Sequence, residues 1–245
     1  MAYIYKHPNF FIPKEFQDWL IAAYNWKHNW NKVIDISWNK YHATIKWWFN
    51  NWRKDNYYYW YFSWTGNWLL VENTDDRLRI IWDFTWIAIV KAETQVDNDL
   101  WCIFNCVWQW ESLTTNVCYL LEWTKDNSLL YWHEYWSWSD QMYTTSFTLD
   151  VWKTYFITLV RDISKKKYYI YINWILKEGK QYSNNPEIDT SWNLQKLWIW
   201  ADYWAQSSDY NRYKWYIYYI GIYNKALSQK QIQKMYDFFR QWYYD

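Results

Sequence analysis

The sequence predicts an all-β chain, a sandwich or barrel, closed by one helix. Three observations carry that prediction. Short segments of strand character alternate with polar, turn-like stretches along the chain. Asparagine or serine recurs where those segments should reverse. A single stretch, 228–241, has helical rather than alternating periodicity. At 245 residues, with no internal repeat and no low-complexity linker, one large β domain accounts for the length better than two. Residues 1–17 read as an N-terminal extension and 18–245 as the single domain, its C-terminal helix included.

In chain order, candidate strands fall at 20–24, 57–63, 69–71, 85–92, 101–107, 117–121, 129–133, 155–161, 167–172, 196–199 and 216–223. Two of them, within FTWIAIVKA and TYFITLVRD, read as half-buried or central strands. Residues 167–172 alternate, and a short partner strand follows at Ile175. Between them, Asn173-Trp174 fills the two-residue slot in which a type I′ hairpin calls for Asn-Gly. The stretch WHEYWSWSD, 132–140, reads as a hairpin loop. In SQKQIQKMYDFFRQ, Ser228 caps the helix and Gln231 completes a capping box. Ile232, Met235, Tyr236 and Phe239 form one apolar stripe, which suits docking on the outside of a sheet.

The turns have the wrong residues. The chain has 27 Trp and 3 Gly, where average usage would give roughly 17 Gly. Trp follows Asn or Ser at 26, 30, 38, 52, 68, 138, 174 and 192. Asn-Gly and Ser-Gly are strong turn signals, whereas a bulky residue at positive φ is strained. One genetic explanation covers the pattern. UGA is read as Trp in one variant code and as Gly in another, so a gene of the second kind translated by the first yields many Trp and few Gly. On that reading many of these tryptophans stand for glycine, and Gly66, Gly179 and Gly221 come from ordinary glycine codons. Trp64, Trp101 and Trp242 are the weakest candidates for replacement. The rival reading is a Trp-rich binding surface, which needs a few placed rings rather than one at every turn.

Charge and cysteine content exclude several classes. The net charge of +1 and pI near 7.6 argue against a global electrostatic partner such as nucleic acid or an anionic membrane. Lys165, Lys166 and Lys167 form a solvated loop run. No run of eighteen apolar residues predicts a transmembrane helix. The opening MAYIYKHPNFFIPKEF has no apolar core or small-residue cleavage site, so no signal peptide is expected. The chain then stays in the cell, leaves by lysis, or follows an upstream segment. A position on a virion or cell surface requires another export route. Cys102 and Cys106, four apart on one strand, are separated by about 13 Å, too far for a disulfide. Cys118 is placed to face Cys106 across a hairpin, but buried free thiols are the simpler reading.

With glycine restored at the turns, three stretches resemble the laminin-G-like jelly roll of the concanavalin A-like lectin/glucanase superfamily. WLIAAYNWKHNWNKVIDISWNKYHATI resembles the opening strand and its Asp-x-Ser-Gly-Asn-x-x-His segment, here Asp35, Ser37, Trp38, Asn39 and His42. DFTWIAIVKA and WKTYFITLVRD…YYIYINWILKEG resemble later paired strands. The end resembles the pattern I-Y-N-x-A-L-S before a terminal helix, matched by Tyr223, Asn224, Ala226, Leu227 and Ser228. The resemblance spans roughly 18–240 and implies a two-sheet antiparallel jelly-roll sandwich with one short C-terminal helix.

What the fold does is less determined, because it hosts lectins, adhesion modules, glycosidases and virion parts. Some glucanases of the superfamily carry E-x-D-x-x-E. Here EIDTSW offers Glu187 and Asp189 but Trp192 where the second Glu belongs, and Pro186 marks a loop. Retaining hydrolysis needs both carboxyls, so no catalytic residues are expected. There is no G-x-S-x-G or H-E-x-x-H, and His7, His28, His42 and His133 are scattered. His42 belongs to the turn segment. No cofactor is implied. Calcium is the one metal the resemblance brings, yet Tyr218 and Tyr219 stand where the family often has an acidic pair. The loop 202–209 still offers oxygen donors.

The expected function is a non-catalytic module binding glycan or another surface polymer through loops at one end. The candidate contacts are Tyr135, Asp140, Asp202, Tyr203, Asp209 and Asn211. The rival is a virion structural protein, a capsid decoration or tail-fibre component, whose partners are neighbouring subunits or copies of itself. A degenerate glycoside hydrolase is the minor alternative.

Overall fold

The structure, a computed structural model, describes residues 12–29, 32–46, 50–54, 57–62, 68–72, 82–93, 100–107, 117–124, 126–135, 138–144, 147–181, 196–199 and 215–243. Its strands are β1 (Leu20–Asn29), β2 (Lys32–Asp35), β3 (Ala43–Lys46), β4 (Asn50–Lys54), β5 (Tyr57–Phe62), β6 (Trp68–Glu72), β7 (Phe84–Ala92) and β8 (Leu100–Val107). There follow β9 (Val117–Thr124), β10 (Leu129–Tyr135), β11 (Trp138–Tyr143), β12 (Thr154–Asp162), β13 (Lys167–Ile172), β14 (Ile175–Gln181), β15 (Lys196–Ile199) and β16 (Trp215–Tyr223). The helices are α1 (Lys14–Gln17) and α2 (Gln229–Tyr243).

Every strand pairing described is antiparallel. The ladder runs β11-β10-β9-β8-β15-β6-β3-β2-β1-β16-β7-β12-β13-β14 and folds over itself into two layers. Ring contacts across the middle fix which strands face each other. Trp86 on β7 stacks on Phe104 of β8 at 4.1 Å, Trp123 on β9 meets Tyr155 of β12 edge-on at 6.0 Å, and Tyr131 on β10 meets Tyr168 of β13 at 4.8 Å. The chain is thus an antiparallel two-layer jelly-roll sandwich, with β1, β16, β7, β12, β13 and β14 in front and β6, β15, β8, β9, β10 and β11 behind.

The central strands of the front layer, β7, β12 and β16, are buried on both faces. In β12, Tyr155, Ile157 and Leu159 face the back layer, while Phe156 and Val160 face a second apolar cluster. That cluster is closed by α2, whose Ile232, Met235 and Phe239 are fully buried. Burying these three contributes roughly 1.5–3 kcal/mol each. This double burial explains why the β7 and β12 sequences are apolar without alternation. Ile12 and Phe16, at and before α1, pack into the same cluster.

The route into α2 is pinned. The Thr85 hydroxyl donates to Lys225 O at 2.7 Å and accepts the Leu227 N–H at 2.9 Å. The Ser228 N–H donates to Gln231 Oε1 at 2.9 Å, and the Gln231 N–H reaches back to Ser228 Oγ at 3.4 Å. These are the two reciprocal bonds of the expected capping box.

Three differences from the sequence reading have physical causes. β2 and β3 have four residues each, too few for alternation to register. β4, NNWRK, is mostly polar. The expected loop at 132–140 is largely strand: β10 runs on to Tyr135, β11 starts at Trp138, and those two residues pair.

Candidate binding surface

With both faces of β7, β12 and β16 covered, the ends and turns of these strands are what they can offer a ligand. At one end, the start of β1 lies beside the end of β16 (Leu20↔Tyr223) and the start of β7 (Tyr223↔Thr85). Here Asp35 organises the turn after β2. Its carboxylate is 3% exposed, yet it accepts four hydrogen bonds. Oδ1 takes the Ala23 and Ser37 N–H groups, each at 2.8 Å, and Oδ2 takes Ser37 Oγ at 2.6 Å and the Tyr41 N–H at 2.8 Å. The Asp35 N–H donates to His42 Nδ1 at 3.1 Å, so this nitrogen must be unprotonated. Asn39 Nδ2 donates to Leu20 O and Ile21 O at 3.1 and 2.8 Å. Every polar residue that carried the resemblance here is thus occupied in holding the turn. Trp38 stands at its tip, 85% exposed, but the left-handed residue is Lys40, at φ 60°.

Burial raises the pKa of Tyr24 beneath this turn well above normal, and the Asp35 carboxylate adds to the shift. The Tyr24 hydroxyl donates to Tyr41 O at 2.6 Å. Close to this end, Lys225 Nζ sits 3.4 Å from the Trp19 ring centroid, a cation–π contact.

At the opposite end, the last residues of β7 pair with the first of β12 and β16 (Lys91↔Thr154, Lys91↔Tyr216). Lys91 Nζ lies 5.8 Å from the ring centroids of both Trp152 and Tyr216. The Tyr216 hydroxyl donates to the Glu93 carboxylate, and its ring stacks with Tyr218 at 6.3 Å. Trp152 is 57% exposed and its backbone N–H donates to Ala92 O at 2.7 Å. A cation, a carboxylate, a phenol and an indole therefore meet on one rim. The sequence reading missed this group, because its members come from three distant segments with no shared motif.

The hairpin between β13 and β14 has the expected backbone. Asn173 is at φ 49° and Trp174 at φ 64°, both left-handed as type I′ demands. Asn173 Oδ1 accepts the Phe156 N–H at 3.0 Å, tying the turn to β12.

Of the expected contacts, Tyr135 is the last residue of β10, and Asp140 lies within β11 opposite His133. These two stand on strands rather than in a loop, because the hairpin between them is tight. Asp202, Tyr203, Asp209 and Asn211 lie outside the described residues, as do Glu187 and Asp189. Tyr218 and Tyr219 are buried in the cluster under α2, and Tyr219 and Tyr223 share a hydroxyl–hydroxyl bond of 2.9 Å. Among the described residues, no group of three or more His, Cys, Asp or Glu is placed to hold a metal. Nor is any described helix long and apolar enough to cross a membrane. On β8 and β9 the register pairs Cys106 with Tyr119 and Val107 with Val117, so Cys118 falls in the irregularity between them.

No family model and no curated protein sequence matches the chain. Its fold does match solved structures. A botulinum neurotoxin serotype D/C binding domain aligns with TM-score 0.68 and 14% identity, over 91% of this chain and 52% of that one. The structure titled "Cell entry of botulinum neurotoxin type C is dependent upon interaction with two ganglioside molecules" aligns with TM-score 0.67, 15% identity and the same coverage. The botulinum neurotoxin DC binding domain in complex with rat synaptotagmin II gives TM-score 0.68 and 14% identity, also over 91% and 52%. The chain spans about half the length of each of these domains. At such identities the likeness is one of fold: this chain is a β-sandwich jelly roll similar to those found within toxin receptor-binding domains.

Proposed function

We propose that this chain is a non-catalytic binding module, a laminin-G-like jelly roll of the concanavalin A-like superfamily, that recognises a glycan or another surface polymer. The observation that carries the reading is the fold likeness to receptor-binding domains, one titled for gangliosides and one for a synaptotagmin, over nine-tenths of this chain. Burial of both faces of β7, β12 and β16 directs recognition by these strands to their ends and turns, where polymer ligands can be met without opening the core. The rim formed by Lys91, Glu93, Tyr216 and the 152 turn joins Tyr135, Asp140, Asp202, Tyr203, Asp209 and Asn211 as candidate contacts.

The reading includes the recoding of UGA as glycine. In its support, two of the six described non-glycine residues at positive φ are tryptophans, at 152 and 174. Trp is a poor occupant of left-handed backbone. Recoding also favours a second reading, a virion decoration or fibre protein. Such a subunit should bury a face above about 1,000 Å² against its neighbours.

Two measurements test the pair. A glycan array probed with purified chain should show saturable binding to a restricted set of related glycans. Fractionation of the native source, followed by peptide mass spectrometry, should place the chain in the envelope. Absence of glycan binding, with peptides concentrated in purified particles, would sink the first reading and support the second.

A further inference from the structure

The backbone and the core sort the tryptophans into two kinds. Trp152 and Trp174 sit at φ 69° and 64°, in the left-handed region where a Cβ is strained and glycine is not. The Trp152 ring is more than half exposed and touches the Lys91 ammonium at the distance of a weak cation–π contact. It fills no core. Trp86 and Trp123 are the opposite case. Both lie in strands and are 1% and 0% exposed. Trp86 stacks on Phe104, while Trp123 packs against Tyr155 and donates its indole N–H to Asn127 Oδ1 at 3.1 Å. Removing either ring would open a cavity between the two layers, where they are stitched together.

We propose that in the natively made protein positions 152 and 174 are glycine, whereas positions 86 and 123 are tryptophan. The proposal rests on the recoding reading and deepens it by naming residues on each side. It also changes the binding rim. With glycine at 152, the Lys91 ammonium loses its indole neighbour, and any ligand there meets charge and backbone rather than a Trp platform.

Two experiments decide it. The first reads the codons and the native peptides: UGA with glycine at 152 and 174, UGG with tryptophan at 86 and 123. Tryptophan at all four would overturn both the sorting and the recoding. Glycine at all four would leave recoding standing and overturn the sorting. The second uses the Trp-containing chain and compares Trp152→Gly with Trp152→Ala. Both lose the ring, so the difference isolates the backbone. At left-handed φ the Gly variant should melt about 2–4 °C above the Ala variant. At ordinary strand or turn backbone the order reverses, and an Ala variant equal to or above Gly would refute the conformational argument. Trp123→Gly should melt far below the parent or fail to fold, and a Trp123→Phe variant that folds with partial loss keeps the comparison readable.

Discussion

Of the two described glycines, Gly221 is the one at which a single methyl group should do more harm. It lies in the middle of β16, paired with Ala23 on one side and Ile87 on the other. The Tyr219 ring folds back over it. A Cβ built on Gly221 would fall 2.4 Å from the Tyr219 hydroxyl and 2.8 Å from Cε1 and Cζ, well inside van der Waals contact. Tyr219 has nowhere to go. It is 0% exposed, its ring centroid lies 4.4 Å from that of Phe239 on α2, and its hydroxyl is bonded to that of Tyr223. Forcing such a ring aside costs about 1–3 kcal/mol as overpacking. Losing the buried hydroxyl pair adds about 1 kcal/mol. Alanine recovers about 0.5–1 kcal/mol over glycine in a strand. The balance is a loss of about 2 kcal/mol for Gly221→Ala, or about 4–8 °C in Tm for a domain of this size. Urea unfolding should show a lower midpoint at unchanged m. Adding Tyr219→Phe removes the closest contact but leaves the ring carbons at 2.8 Å, so the double variant should recover part of the loss. A Gly221→Ala protein as stable as the parent would refute the close packing of Tyr219 on β16.

Three further outcomes follow from buried polar groups. The Thr158 hydroxyl is fully buried at the centre of β12 without a hydrogen-bond partner among the described residues, so the near-isosteric Thr158→Val should gain about 1 kcal/mol, seen as a raised Tm. Tyr24, Tyr155, Tyr171 and Tyr223 all have pKa values raised, chiefly by burial. Their stabilising contribution is complete below the unfolded pKa of about 10 and is lost as pH rises beyond it, because only the unfolded chain ionises. Stability measured against pH should therefore fall above about 10, and Tyr223→Phe should flatten that limb. The sign is opposite at Asp162: burial alone would raise its carboxyl, but hydrogen bonds from Lys165 and Ser164 outweigh it and hold the pKa below normal. That contribution is present above about pH 4 and disappears as pH falls through the folded pKa, so Asp162→Asn should soften the acid limb and leave the neutral region less stable.

The parts of the fold that were legible in the sequence are those where one physical rule acts alone. α2 shows a cap, a capping box and one apolar stripe, and the structure has all three. β7 and β12 were readable as half-buried or central strands, and the structure decides for central, since double burial removes alternation. The Asn173-Trp174 hairpin was readable from loop length and Asn, even with Trp in the slot where type I′ turns favour Gly. β2, β3 and β4 were not readable, being too short or too polar for periodicity to register. The tightness of the β10–β11 hairpin was hidden because its turn letters mimic a long polar loop. The rim of Lys91, Glu93 and Tyr216 was illegible for a different reason. It exists only through the β7–β12 and β7–β16 registers, which no local pattern encodes.

That contrast bears on how the module would meet a ligand. Motif residues such as Asp35, Ser37, Asn39 and His42 look functional in a sequence because they are polar and closely spaced. In the structure their donors and acceptors are spent on Ala23, Leu20, Ile21 and Tyr41, which leaves them little to offer a sugar hydroxyl. Groups that can turn outward stand instead where strands end and the backbone reverses, at Lys91 and at the 152 turn. Recognition in this chain would then depend on turn geometry, so the identity of residue 152 matters twice. Glycine there relaxes the reversal and uncovers the cation, while tryptophan strains the reversal and covers it. Affinity for an acidic polymer should rise from Trp152→Ala to Trp152→Gly only if backbone shape, and not ring removal alone, presents Lys91. Equal affinities in the two variants would remove turn geometry from the mechanism and leave the exposed charge as the sole determinant.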